Sequence, residues 1–171
     1  HGCLVGSEMC IRDSFHAFTP TVANIRPTSR GEISISSSDT KVNPKIKMNY
    51  LSTDEDRKVA ADGIKLIRKI VMETNQFKKY EPEEFRPGSH LNDKEEIVKA
   101  CSHYAQTIFH PVGTCKMGND DSAVVSDKLK VHGINKLRVI DASIMPNITS
   151  GNTNAPTIMI AEKGADMILS P

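Results

Sequence analysis

The run Phe109-His110-Pro111-Val112-Gly113-Thr114-Cys115-Lys116-Met117-Gly118 places an imidazole beside a glycine-punctuated loop. Imidazole, with an ordinary pKa of about 6.5, is the natural base for an alcohol proton near neutral pH. Pro111 steers His110 away from helical geometry, so the preceding helix is expected to end there, with the ring at its C-terminus. On local sequence alone the plain reading, a surface or core histidine at a helix end, comes first. A second candidate is Ser150-Gly151-Asn152-Thr153-Asn154-Ala155-Pro156-Thr157, a polar loop running into an apolar helix. Free amides and the positive end of a helix dipole would face whatever sits above, which suits phosphate, carboxylate or a reduced cofactor ring. The plain alternative is an ordinary N-cap loop. Asp141, at the carboxyl end of an expected strand, lies where open α/β sheets place ligands, and is also common turn chemistry. Cys101, His103, His110 and Cys115 form no metal site: Cys101 and His103, two apart on a helix, cannot share a face, and zinc motifs lack this spacing.

The elements that must hold these groups are legible in the periodicity. Glu32-Ile33-Ser34-Ile35-Ser36 and Lys45-Ile46-Lys47-Met48-Asn49-Tyr50 alternate polar and apolar, as half-buried strands do. The turn residues between them predict an antiparallel pair. Thr53 is expected to cap a helix over 54–75, with Asp54, Glu55 and Asp56 complementing its dipole. Gly63 weakens that helix by about 1 kcal/mol relative to Ala. A loop over 81–90 precedes a second helix over 93–109 with Asn92 as cap. Residues 119–122 read as a turn and 137–140 as a short strand. A final helix runs over 154–169, with Asn154 as cap and Pro156 in its first turn, where no amide donor is needed.

The chain has 171 residues, 22 basic and 21 acidic, for a net charge of +1. That balance excludes a generic nucleic-acid binder, and no run of about 18 apolar residues exists to span a membrane. Residues 1–14 have no signal-peptide pattern and resemble translated sequencing-adapter sequence, so they are set apart from the fold. Cys3 and Cys10 leave with them. Cys101 and Cys115 remain, too few for a disulfide scaffold and in keeping with a reducing compartment such as the cytoplasm.

Together, five ordered blocks resemble the C-terminal part of the glucose-methanol-choline (GMC) flavin oxidoreductases. They are the His110–Gly118 run, Ala123-Val124-Val125, Leu129-Lys130-Val131-His132-Gly133, Leu137-Arg138-Val139-Ile140-Asp141-Ala142-Ser143-Ile144-Met145-Pro146, and the Ser150 loop continuing through Lys163. Arg26-Pro27-Thr28-Ser29-Arg30-Gly31-Glu32-Ile33 and the second strand resemble the start of that family's substrate domain. Choline-dehydrogenase-like members are the nearest in pattern.

The resemblance implies an α+β fold, an antiparallel sheet with flanking helices plus a returning strand-helix segment of an FAD domain. It implies a substrate-binding domain over 15–122 and, over 123–171, the segment that completes the FAD-binding domain and active site. The implied reaction takes hydride from the carbinol carbon of a small alcohol to flavin N5 while His110 receives the hydroxyl proton. Asn152 matches the second active-site position, where an amide can orient the substrate oxygen. Asp141 and Ala142 match a segment near the flavin's ribityl and phosphate region. Asn152, Thr153, Asn154, Ala155, Pro156 and Thr157 match the helix start near the isoalloxazine ring. Where the family commonly has Val-Val-Asp, this chain has Val124-Val125-Ser126, with Asp127 displaced by one. The N-terminal βαβ unit that clamps the FAD pyrophosphate is absent, so the chain is expected to be a fragment, inactive alone, whose partner is the missing part of its own polypeptide. A non-catalytic binding module of the same fold is the alternative.

Overall fold

The computed structural model describes residues 16–170, and the leader at 1–14 lies outside them. Its elements in chain order are β1 (Glu32–Ser34), β2 (Lys45–Lys47), α1 (Asp54–Glu73), the short α2 (Asn75–Lys78), α3 (Lys94–Tyr104), a 3-10 turn (Ala142–Ile144) and α4 (Asn154–Leu169). The two strands pair antiparallel with Ile33 opposite Ile46, as the alternation predicts. Their connection is closed by Asp39, whose carboxylate accepts the Lys41 amide at 2.9 Å and whose carbonyl accepts the Val42 amide at 3.0 Å. A Cβ on Gly31 would stand 2.3 Å from the Lys47 carbonyl oxygen, so only glycine lets the ribbon close there. The apolar side of the ribbon is not half-buried as expected: Ile35 is 87% exposed and Ile46 is also open.

Thr53 caps α1 as predicted, accepting the Asp56 amide at 3.3 Å. The irregular lead-in before β1 is fastened to this helix start by the Asp56 carboxylate, which is only 4% exposed. It accepts Asn24 Nδ2 at 3.0 Å, the Thr28 amide at 2.9 Å, the Ser29 amide at 2.8 Å and Thr28 Oγ1 at 3.3 Å. The otherwise costly Gly63 is explained by the same segment, since a Cβ there would lie 2.6 Å from the Val22 side chain. Ala61 of α1 packs with Ile97 and Val98 of α3, flanked by Leu51, Ile64, Leu91 and Cys101, to form the first core. Arg68 pins the following loop to α1 through a two-pronged pair with Glu84, at 2.8 and 2.9 Å, and through the carbonyls of Gly88 and Leu91.

Several boundaries differ from the sequence reading; α1 ends at Glu73, two residues early. Asp93, not Asn92, caps α3, because its carboxylate accepts two amides, Glu95 and Glu96, while Asn92 donates to the loop behind it. The helix stops at Tyr104 rather than Phe109. Ala105 turns extended (ψ 144°), and Thr107 Oγ1 takes the Phe109 amide at 3.1 Å, a local bond that competes with helix continuation. Residues 137–140 form no strand. They make one isolated bridge, Lys130 to Arg138, in which the Leu137 carbonyl accepts the Val131 amide at 3.0 Å and the Val139 amide donates to the Leu129 carbonyl at 3.2 Å.

That core comprises Val125, Leu129, Ile144, Met145 and Ile160, with Val112, Met117, Val131 and Met167 around it. It is built almost without regular sheet.

Burial alone pushes the Asp56 carboxyl up, but the hydrogen bonds from Ser29 and Thr28 outweigh it and hold the pKa below its ordinary 3.8. Stability carried by the ionised form is therefore complete above the unfolded pKa and is lost as pH falls through the lower folded value. Asp56→Asn should lower the unfolding free energy by about 2 kcal/mol at neutral pH, the scale of hydrogen bonds to a charged acceptor. Urea denaturation should show the gap closing as pH falls below the ordinary carboxyl value of 3.8 and through the lower folded one. A gap that stays constant with pH would rule out the charge as its source.

Candidate functional site

His110 lies six residues beyond the end of α3, in irregular backbone, instead of at a helix C-terminus. Phe109 before it takes a left-handed backbone (φ 63°), as does Ser150 (φ 63°) in the loop before α4. Backbone of this kind is uncommon for residues with side chains and collects at functional loops. Gly113, with φ 91°, supplies the turn that follows.

Two backbone bonds then tether this loop: Cys115 N–H to the Ser143 carbonyl at 3.0 Å and Met117 N–H to the Ile144 carbonyl at 2.8 Å. The next turn is held by Lys116 Nζ, which reaches both Asp120 oxygens at 2.9 and 3.0 Å and Ser122 Oγ at 2.7 Å. Hydrogen bonds from Ser122 and then Lys116 hold the Asp120 carboxyl far below the usual carboxylate range. Ser126 occupies a turn, its hydroxyl accepting the Lys128 amide at 3.2 Å, and Asp127 beside it is exposed.

The decisive contact joins His110 to Thr153. His110 Nδ1 lies 2.9 Å from Thr153 Oγ1 and 3.4 Å from the Thr153 amide nitrogen, although the residues are 43 apart in sequence. Thr153, not Asn154, holds the N-cap position of α4. With its hydroxyl turned to the imidazole, it makes no side-chain cap bond. Asn152, next to it, is exposed and so open to a ligand. Asn154 and Ala155 are exposed at the start of the helix; Pro156 and Thr157 are half-buried. Thr157 braces the turn, its amide and hydroxyl both donating to the Thr153 carbonyl, at 3.0 and 2.6 Å.

Asp141 caps the 3-10 turn, its Oδ1 accepting the Ser143 amide at 2.8 Å as well as the Ser143 hydroxyl. One carboxylate oxygen is thus committed to turn chemistry. Ala142 packs against the second core. The 3-10 turn meets α4 through that core, which also holds Ile144 and Ile160. The structure therefore brings His110 directly to Thr153 and the Asn152 loop. Asp141 and Ala142 are joined to them through the tether at 115–117, with no direct bond to His110. Cys101 sits in the first core, away from this region, and burial pushes its thiol pKa up. Among the described residues no group of three or more His, Cys, Asp or Glu is placed to hold a metal ion. The sequence reading missed Thr153 as the partner of His110; its one signal was two adjacent capping residues, Thr153 and Asn154, of which only one was needed.

The GMC oxidoreductase family matches this chain over residues 27–161, and the chain belongs to that family. It is 47% identical over 153 residues to an oxygen-dependent choline dehydrogenase of Proteus mirabilis, an alignment covering 90% of this chain and 27% of that protein. A Pseudomonas fluorescens protein of the same name is 44% identical over the same share of both. Among solved structures, pyridoxine 4-oxidase from Mesorbium loti superposes with a TM-score of 0.78 at 33% identity, covering 86% of this chain and 28% of that one. Formate oxidase of Aspergillus oryzae, studied for its FAD modification, gives 0.77 at 33% identity, covering 90% and 28%. The chain thus spans about a quarter of the length of the relatives it matches.

Asp141→Ala should cost about 1 kcal/mol in urea denaturation, the usual loss of a cap, while Asp141→Asn, which keeps an acceptor oxygen, retains most of it. Equal losses in the two variants would mean that the charge, not the cap, is what matters.

Proposed function

We propose that this chain is the C-terminal part of an FAD-dependent oxidoreductase acting on small alcohols, with His110 as base and Asn152 as orienting group. The observation that carries the reading is the His110–Thr153 contact, which holds an imidazole at the mouth of the loop that carries Asn152. His110 receives the alcohol's hydroxyl proton at its free ring nitrogen. The Asn152 amide donates a hydrogen bond to the substrate oxygen and fixes its approach.

FAD, when bound, supplies the hydride acceptor. The donors at the start of α4 suit such a group. No side chain caps the helix among the described residues, Pro156 removes one amide, and nothing lies within 4 Å of where a Cβ on Gly151 would stand. A partial positive charge there would favour negative charge developing on the ring. Asn152, Thr153, Asn154, Ala155, Pro156 and Thr157 would border the ring, and Asp141 and Ala142 the ribityl and phosphate side. In this reading residues 15–122 form the substrate-binding domain, and residues 123–171 complete the FAD-binding domain. The open apolar ribbon, and Ile158 and Met159 on α4, are surfaces the remainder of the parent protein would cover. Choline, the substrate in the names of the Proteus and Pseudomonas relatives, is the first alcohol to test.

With this chain joined to the upstream part of its own polypeptide, anaerobic flavin reduction by choline should fall about 10²–10⁴-fold in His110→Ala, the usual contribution of a general base. Asn152→Ala should lose on the order of 10²-fold, the scale of a misplaced substrate. Near-normal reduction in His110→Ala would sink the assignment. No reduction by any alcohol in the unmutated protein would favour a binding module.

The purified 171-residue chain, lacking a pyrophosphate clamp, should leave added FAD fluorescence unquenched at micromolar protein. Stoichiometric yellow flavin on the purified chain would overturn that expectation.

A further inference from the structure

The loop that carries Asn152 has little polar support of its own. At its near end the Met145 amide donates to the Ala142 carbonyl at 3.2 Å, and at its far end Thr153 is held by His110 and Thr157. Between them, among the described residues, residues 146–152 make a single hydrogen bond, from Arg30 Nη2 to Asn147 Oδ1 at 2.6 Å. Arg30 lies 117 positions earlier in the chain. Ser150 holds its left-handed backbone (φ 63°) with no hydrogen bond to brace it, and nothing lies within 4 Å of where a Cβ on Gly151 would stand. One guanidinium is thus the whole of the hydrogen bonding that reaches this loop.

The donor end, by contrast, is fixed before it meets the loop. Arg30 Nη1 donates to the Pro27 carbonyl at 2.9 Å and the Ser29 carbonyl at 3.1 Å, which leaves Nη2 for Asn147. The backbone around it is held from three sides. The Asp56 carboxylate accepts the Ser29 amide at 2.8 Å, and the Ser29 hydroxyl accepts the Ser52 amide at 3.0 Å. Asn49 Nδ2 donates to the Arg30 carbonyl at 2.9 Å. A planar guanidinium can divide its donors between its own segment and a distant acceptor, which the single ammonium of a lysine cannot do in one geometry.

We propose that Arg30 is a positioning residue for Asn152, holding the loop through Asn147 so that the amide is presented at the site. This rests on the reading of Asn152 as the group that orients the substrate oxygen. Asn147 stands five residues before Asn152, so the tether narrows the positions open to the loop without fixing the amide outright. Its loss lowers the fraction of time the amide spends in the productive place, and the rate falls with that fraction. The part of the chain that precedes α1 thereby acts on a residue just before α4.

The test uses the protein carrying its upstream part, with anaerobic flavin reduction measured at saturating choline. Arg30→Met and Asn147→Ala should each slow reduction about 3- to 10-fold, the effect of one exposed hydrogen bond to a charged donor. The two together should be no slower than either alone. Asn147→Asp should keep the full rate, because its carboxylate accepts the same guanidinium. Placed on Asn152→Ala, Arg30→Met should have no further effect, an outcome that a merely structural role would not give. An unchanged rate in Arg30→Met, additive losses at Arg30 and Asn147, or an undiminished Arg30→Met loss on Asn152→Ala overturns the proposal. Should Arg30→Met not fold, Asn147→Ala, at an exposed position, carries the same test. If Asn152→Ala alone reduces flavin at a near-normal rate, the reading of the site fails, and Arg30 is judged by the loop itself. Methyl relaxation of carbon-13-labelled Ile148 should then show a lower order parameter in Asn147→Ala than in wild type or Asn147→Asp. Equal order in all three would overturn the tether.

Discussion

The pairing of residues 115–117 with residues 143–144 is the constraint on which the candidate site depends. Cys115 and Met117 donate backbone hydrogen bonds to Ser143 and Ile144, and those two bonds tie the His110 loop to the turn that Asp141 caps. Ile144 in turn shares the second core with Ile160 of α4. Without regular sheet in this region, every polar backbone group must find its partner individually. Val125, fully buried, is where this happens: it bridges Met117 on one side and Val131 on the other, and its carbonyl accepts the Gly118 amide at 3.0 Å. The arrangement resists sliding because a shift of one residue would strand these groups in an apolar surround, at a cost of roughly 1–3 kcal/mol each.

The helical half was legible because its physics is local. Thr53 and the acids after it announce the start of α1, although its core face is Ala61 and Ile64 while Leu66 and Ile70, also at helical spacing, stay exposed. The core site was legible in part: His110, Asn152 and Asp141 were picked out by residue type and loop chemistry. What was hidden is non-local. The end of α3 is the exception, a local one: a threonine hydroxyl meets an amide two residues on, which helical periodicity does not register. The strand expected at 137–140 is cut to a single bridge, whose partner at 129–131 lies outside the segment's own pattern. Gly63 reads as a defect in a helix until Val22 is placed across it.

Thr153 shows how two levels compete. Sequence pattern allows either Thr153 or Asn154 to begin α4, and an asparagine would cap as well as a threonine. The structure puts Thr153 at the cap position and then withdraws its hydroxyl, which only the arrival of His110 from 43 residues away explains. Family membership accounts for why such a loop precedes a helix. It does not by itself say which hydrogen bond the hydroxyl makes.

The first core and the site are also linked through one irregular segment. Asp56 fixes Thr28 and Ser29 at the start of α1. Arg30, the next residue, reaches Asn147 Oδ1 at 2.6 Å, a few residues before the Ser150 turn. An exposed hydrogen bond of this kind contributes at most about 1 kcal/mol, far less than either core. Its effect is therefore geometric: it limits where the loop before Asn152 can go once Asp56 has set the lead-in. A carboxylate in the helical core, the guanidinium one residue beyond its ligands and the loop that meets His110 form a continuous set of contacts. The course of the loop before Asn152 thus depends in part on burial at a carboxylate that lies outside it.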